Sequence, residues 1–147
     1  MKNQLLALCQ LIVAEKVAAL KTELKALQES ANQDTKSSVG DKYETGRAMV
    51  HLAQENIMRQ YEEQEKLARI LGSLSSSSTS ETIEAGSLIS TNLGTFYMSV
   101  GLGKVSMDNH DYFAIAPNSP VGTALLNKKR GDSIDLNGRH YDIIEVI

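Results

Sequence analysis

Asp41 and Glu44 are the residues whose type and spacing point most directly to chemistry. Two carboxylates three residues apart at a helix start support two readings. One is a capping box, in which the aspartate accepts from the third residue's backbone N–H and the glutamate reaches back. The positive end of the helix dipole favours both charges there. The other reading is metal binding. Mg²⁺ is commonly held by one or two carboxylates, with water and phosphate oxygens completing the octahedron. Two-metal phosphodiester hydrolysis uses both ions to stabilise the entering and leaving oxygens. Two carboxylates alone make too weak a site, so in this reading Asp41 and Glu44 are half a site completed by a partner's acids. The readings are compatible, because a capping carboxylate keeps a free oxygen. Lys36, Lys42 and Arg47 surround the pair and suit either contacts to phosphates or a charge-mixed helix surface. Tyr43 either stacks or covers the turn. His51, His110 and His140 have no metal-ligand spacing and no evident partner, and read as incidental.

The elements that must position the pair are two proline-free segments rich in Ala, Leu, Glu, Lys and Gln, all good helix formers. In the first, Leu6, Val13, Val17, Leu20, Leu24, Leu27 and Ala31 share one heptad frame, with Gln10 as its polar intruder. In the second, Val50, Ala53, Ile57, Leu67 and Leu71 share a frame, with Gln60 and Gln64 in two seam positions. These are coiled-coil seams. Ser37-Ser38-Val39-Gly40-Asp41 separates them, with Gly40 suited to end one helix and Asp41 to cap the next. A short break between heptad helices predicts an antiparallel hairpin, about 45 Å long. Residues 1–72 are therefore read as a coiled-coil arm with an acidic tip.

Residues 73–86 are Ser/Thr-rich from Gly72 through Ser80 and read as a flexible join. Residues 87–147 change period. Strands are predicted at 87–91, 94–100, 104–106, 112–116, 133–136 and 140–146, with turns at Asn92-Leu93-Gly94, Gly101-Leu102-Gly103 and Asn137-Gly138. Asn137-Gly138 is a strong two-residue hairpin signal. Ser119 as cap and Pro120 in the first turn start one helix through Leu126. The fold class is α+β: an N-terminal antiparallel coiled-coil hairpin, then a small antiparallel sheet with one helix.

Composition narrows the function. Net charge is −3 and does not mark a nucleic-acid binder. Residues 1–72 balance ten Lys/Arg against ten Asp/Glu, whereas 73–147 hold five against eight. Cys9, the one cysteine, excludes a disulfide framework or cysteine-based metal site and reads as packing. Met49 and Met58 also read as packing residues. No apolar run reaches the ~18 residues of a membrane span. No signal peptide is expected, and a cytoplasmic location is.

Pro117-Asn118-Ser119-Pro120-Val121-Gly122-Thr123-Ala124-Leu125-Leu126-Asn127-Lys128-Lys129, then Gly131-Asp132 and the closing Tyr141-Asp142-Ile143-Ile144-Glu145-Val146, resemble the C-terminal domain of the GreA/GreB family of transcript cleavage factors. The order of parts, hairpin before sheet, also matches. The resemblance implies an FKBP-like sheet domain that binds bacterial RNA polymerase. It also implies an arm inserted into the polymerase's secondary channel, towards nascent RNA. There Asp41 and Glu44, in the family's Asp-x-x-Glu spacing after a Gly, would help hold Mg²⁺ jointly with the polymerase. The chain would then be no enzyme itself, but would stimulate cleavage of backtracked RNA by the polymerase. Neither a membrane nor a small-molecule substrate is implied. The family usually continues Asn-Ala-Glu-Tyr after the acidic pair, whereas this chain has Thr45-Gly46-Arg47-Ala48. Lys42, Tyr43 and Arg47 are the expected RNA or channel contacts, and Ser119, Pro120 and Val121 the expected docking residues. The runner-up is a channel-occupying regulator or inhibitor without cleavage. Two other classes are weighed. A peptidyl-prolyl isomerase needs an aromatic-walled pocket, but Phe96/Tyr97 and Tyr112/Phe113 are adjacent strand positions that point to opposite faces. A coiled-coil adaptor with an inert tip would have no affinity for the polymerase.

Overall fold

The computed structural model describes the secondary structure of residues 1–34 and 40–147 and the side chains of 1–32 and 46–147. Two long helices, α1 (Lys2–Asp34) and α2 (Gly40–Ser73), precede six strands and a short helix. The chain divides into two compact units. One is Leu11–Ala68; the other joins Met1–Gln10 to Arg69–Ile147. The break expected at Ser37, Ser38 and Val39, and the cap expected from Asp41, lie outside the described residues.

In the helical unit the heptad reading holds along α1. Val13, Val17, Leu20, Leu24, Leu27 and Ala31 are wholly or partly buried, and every residue between them is exposed. Residues lining shared grooves run in opposite senses: Leu20 faces Gln60 and Gln64, Leu24 faces Gln54 and Met58, and Ala31 faces Val50 and Gln54. The helices are therefore antiparallel. Gln60 departs from its expected seam position. It is exposed, and Tyr61 turns inward beside it, with Lys21 Nζ 5.9 Å from its ring centroid. An aromatic ring removes more apolar area from water than an amide stem, so the seam shifts by one residue. Met49 and Met58 are not packing residues, as expected above; they are 66% and 44% exposed.

The second unit holds a six-stranded sheet in the order β3-β4-β2-β1-β6-β5. Its strands are β1 (Leu88–Thr91), β2 (Gly94–Met98), β3 (Gly103–Met107), β4 (His110–Ile115), β5 (Ser133–Leu136) and β6 (Arg139–Val146). The sheet is not purely antiparallel: β2 pairs β4 in parallel, whereas the other four pairings are antiparallel. The Gly101-Leu102-Gly103 turn does not fold β3 back onto β2. It carries the chain outward, Leu102 N–H donating to Val100 O (2.9 Å) and to Ala114 O (3.2 Å), and β4 returns between them. β3 and β4 meet at Asp108-Asn109, both at positive φ (52° and 63°), a left-handed pair that short polar side chains tolerate. Asn137 (53°) and Gly138 (76°) form the hairpin turn that their sequence predicts.

Adjacent residues of β2 face opposite ways, so both sheet faces need cover. On one face Ile89, Phe96, Met98, Ile134, Tyr141 and Ile143 pack with Leu125 of α3 (Pro120–Leu125) and with Ile83. Ile83 lies in the stretch read above as part of a flexible join, yet it is fully buried and its N–H donates to Lys128 O at 2.7 Å. On the other face Leu88, Tyr97, Tyr112 and Ala114 are buried together with Leu5, Leu6, Cys9 and Leu71 from the helix ends. Tyr112 OH donates to Met1 Sδ (3.6 Å), and Lys2 Nζ donates to the carbonyls of Ser78 (2.8 Å) and Ile147 (3.1 Å). Burial pushes the Cys9 thiol up to about 11 and the Tyr97 phenol up to about 12, the Cys9 charge adding to the latter.

With so high a thiol pKa and no exposure, Cys9 is expected to resist alkylation in the native chain at neutral pH. Mass spectrometry after iodoacetamide treatment should show modification only once denaturant is added.

Candidate functional site

The segment before and through α3 is the best-built local site among the described residues. Ser119 takes an extended conformation (φ −71°, ψ 161°), so its side chain swings over the helix start. Its Oγ accepts from Gly122 N–H at 3.0 Å and donates to Ala116 O at 2.6 Å, satisfying one of the helix's free donors. Pro120 follows at the first helical position, where a missing N–H costs nothing. Gly122 is fixed by space: a Cβ there would sit inside the Ala116 carbonyl oxygen and 2.9 Å from Ser119 Oγ. Thr123 adds a bond from its Oγ1 to Pro117 O (3.3 Å).

The three expected docking residues therefore have different positions. The Ser119 hydroxyl is engaged in the cap, and Val121 is half-buried against the sheet core. Pro120 is exposed, as is Thr123 two residues beyond Val121. Leu125 is core and Leu126 partly buried.

Asp41, Lys42, Tyr43 and Glu44, and Lys36 with them, lie outside the residues whose side chains are described. Arg47 is described. It is exposed on α2 and borders a groove lined by Gln28, Ala31 and Asn32 of α1 and by Val50, His51 and Gln54 of α2. Among the described residues no group of three or more His, Cys, Asp or Glu side chains is placed to hold a metal ion. Among them, too, no helix is long and apolar enough to cross a membrane.

His140 is not without a partner. Its Nδ1 lies 2.7 Å from Asp135 Oδ1 and its Nε2 3.0 Å from Asp142 Oδ1, all on the exposed face of the β5–β6 hairpin. The signal was in the sequence: a two-residue turn at Asn137-Gly138 pairs Leu136 with Arg139 and Asp135 with His140, while Asp142 shares the face two residues on. The hydrogen bond from the His140 ring to Asp135, followed by the Asp135 and Asp142 charges, raises the His140 pKa above the ordinary 6.5. On the opposite sheet edge, Ser106 Oγ donates to Asp111 (2.6 Å) and Lys104 pairs with it (3.4 Å), which lowers the Asp111 carboxyl's pKa.

Two expectations follow. Ser119→Ala should cost about 1 kcal/mol through the lost cap. Gly122→Ala should cost more, on the order of 1–3 kcal/mol, because a backbone carbonyl must move; paired thermal melts check the order. For His140, a pKa raised by folding gives stabilisation that is complete below the unfolded-state value and fades as pH rises through the folded-state value. An NMR titration should place the His140 midpoint above 6.5, and Asp135→Asn should lower it.

No family model and no curated protein matches this sequence. Among solved structures, the chain is similar to that of the transcription factor Gfh1, at 18% identity and a TM-score of 0.38, over 95% of this chain and 93% of that one.

Proposed function

We propose that this chain is a bacterial RNA polymerase factor that carries the carboxylates of Asp41 and Glu44 to the polymerase active centre. The observation that supports this most is the antiparallel pair of helices. Its seam follows one heptad frame from Val13 to Ala31, and the segment joining the two helices is followed by Gly40-Asp41-Lys42-Tyr43-Glu44. A thin two-helix arm with a narrow buried seam gives little enclosed volume for substrate, but suits insertion into a channel. The Gre-like segment, residues 117–129, supports the same reading, because it folds as a capped helix with Pro120 exposed for docking.

In this reading Asp41 and Glu44 complete a Mg²⁺ site together with acids of the polymerase. When bound, the ion would stabilise charge on the phosphodiester being hydrolysed. Lys42 and Arg47 neutralise nearby RNA phosphates, Tyr43 packs against the nucleic acid, and the reaction remains the polymerase's own. Ser119 holds the α3 start in shape, and Pro120 with the exposed edge of Val121 meets the polymerase.

A second reading has support in Arg47. It is an exposed cation three residues after Glu44, where the family's usual Asn-Ala-Glu-Tyr is replaced. A guanidinium this close could pair with a carboxylate and leave a factor that occupies the channel without promoting cleavage.

Cleavage of RNA in stalled, backtracked polymerase complexes distinguishes the readings. With the first, wild type stimulates cleavage, and Asp41→Asn with Glu44→Gln reduces it by on the order of 10²-fold while polymerase affinity holds. With the second, wild type competes for the channel but stimulates nothing, and Arg47→Ala restores stimulation. Absence of polymerase binding would refute both.

A further inference from the structure

We infer that Lys128-Lys129-Arg130, with the neighbouring Ile144, forms a second contact surface for an acidic protein surface. The partner follows from the reading above and is the polymerase. Residues 73–147 are acidic on balance and have only five Lys/Arg, and three of those five stand side by side in this loop. All three are exposed, and among the described residues no ion pair, ring contact or hydrogen bond engages their side chains.

The loop holding them is pinned at both ends. Asn127 takes positive φ (66°) and donates its N–H to Ile83 O at 2.9 Å; Lys128 O accepts from Ile83 N–H at 2.7 Å. Lys129 N–H donates to Asp132 Oδ2 at 2.9 Å, and Asp132 N–H returns to Lys129 O at 3.0 Å. Gly131, at φ 91°, donates to Ile143 O at 2.9 Å. Three like charges repel one another, and the bonds that hold their chain, one of them to the Asp132 carboxylate, all run to its backbone and leave the three cationic side chains unpaired. That arrangement lowers the ordering cost of meeting an oppositely charged surface.

Protein is favoured over nucleic acid by two observations. The sheet unit's Phe and Tyr rings are buried or half-buried, so none of them is offered as a stacking platform. The loop's backbone bond from Gly131 to Ile143 O joins it to β6 next to Ile144, an apolar residue 54% exposed, and exposed apolar groups together with cations suit a protein interface.

The test uses the full chain and nucleic-acid-free RNA polymerase, with association rates measured over a range of salt. Relative to wild type, Lys128→Glu/Lys129→Glu/Arg130→Glu should associate about ten-fold more slowly at ~50 mM salt, the gap closing as salt rises. Ile144→Ser should speed dissociation with the salt dependence unchanged. Melting curves confirm that the variants are folded; the three side chains make no internal contacts to lose. If wild type binds and the triple variant binds identically at every salt concentration, the basic surface is refuted and the polymerase reading stands. Loss of affinity for isolated RNA or DNA alone, with polymerase binding intact, refutes an acidic protein partner. Failure of wild type to bind polymerase removes both readings.

Discussion

The sheet of this protein is apolar on both sides, and much of its architecture answers that one constraint. Phe96 and Tyr97 are neighbours in β2 and point in opposite directions, and both are buried. A single covering layer would leave one of them in water, at a cost of about 2 kcal/mol for a large ring. α3 and the strand-like stretch around Ile83 cover one face. The other face is closed by residues from the two ends of the helical pair, Leu5, Leu6 and Cys9 on one side of the sequence and Leu71 on the other. The sheet unit therefore needs the first ten residues of the chain, although more than seventy residues separate them from β1.

The helical unit follows a leaner principle. Of its described apolar side chains, only Val13 and Leu20 are buried, Val13 fully; the remainder of the seam is half-covered. Two helices cannot enclose a core as three or four can, so stability comes from many partial burials and from the helix propensity of Ala, Leu, Glu and Lys. Seam errors are tolerated in such a pair. Gln64 stays half-buried with its Oε1 unpartnered among the described residues, and Tyr61 replaces Gln60 by a small rotation. A pair built this way presents most of its polar surface outward.

The polar devices of the sheet unit include both local caps and long-range bonds. Ser119 caps α3 and at the same time ties back to Ala116, and Gly122 is the residue that lets those two approach. Lys2 takes its charge into a nearly buried position because two carbonyls meet it; burial lowers its pKa, with Glu84 acting against that. Against these satisfied groups, the unpaired Lys128, Lys129 and Arg130 stand out as charge left facing outward.

The heptad frame of α1, the Ser119–Pro120 helix start, the Asn137-Gly138 hairpin and all six strand positions, to within two residues at their ends, were legible in the sequence, because each depends on residues near one another in the chain. The Asp135–His140 pair was missed, with His140 read as incidental, although the register set by the Asn137-Gly138 turn places the two opposite each other. The β4 start was placed two residues late, because Asp108-Asn109 carries no glycine to announce a left-handed turn. The Asp41/Glu44 pair is legible as a motif, and its chemistry rests on the sequence alone. What only the tertiary structure decided is long-range: the insertion of β4 beside β2 in parallel, the burial of Ile83 in a stretch that looks like linker, and the recruitment of Leu5, Cys9 and Leu71 to the sheet. Propensity and periodicity describe a residue's own element. Which surface that element must cover is decided by the apolar area left exposed elsewhere, and that area exists only after the distant strands have paired.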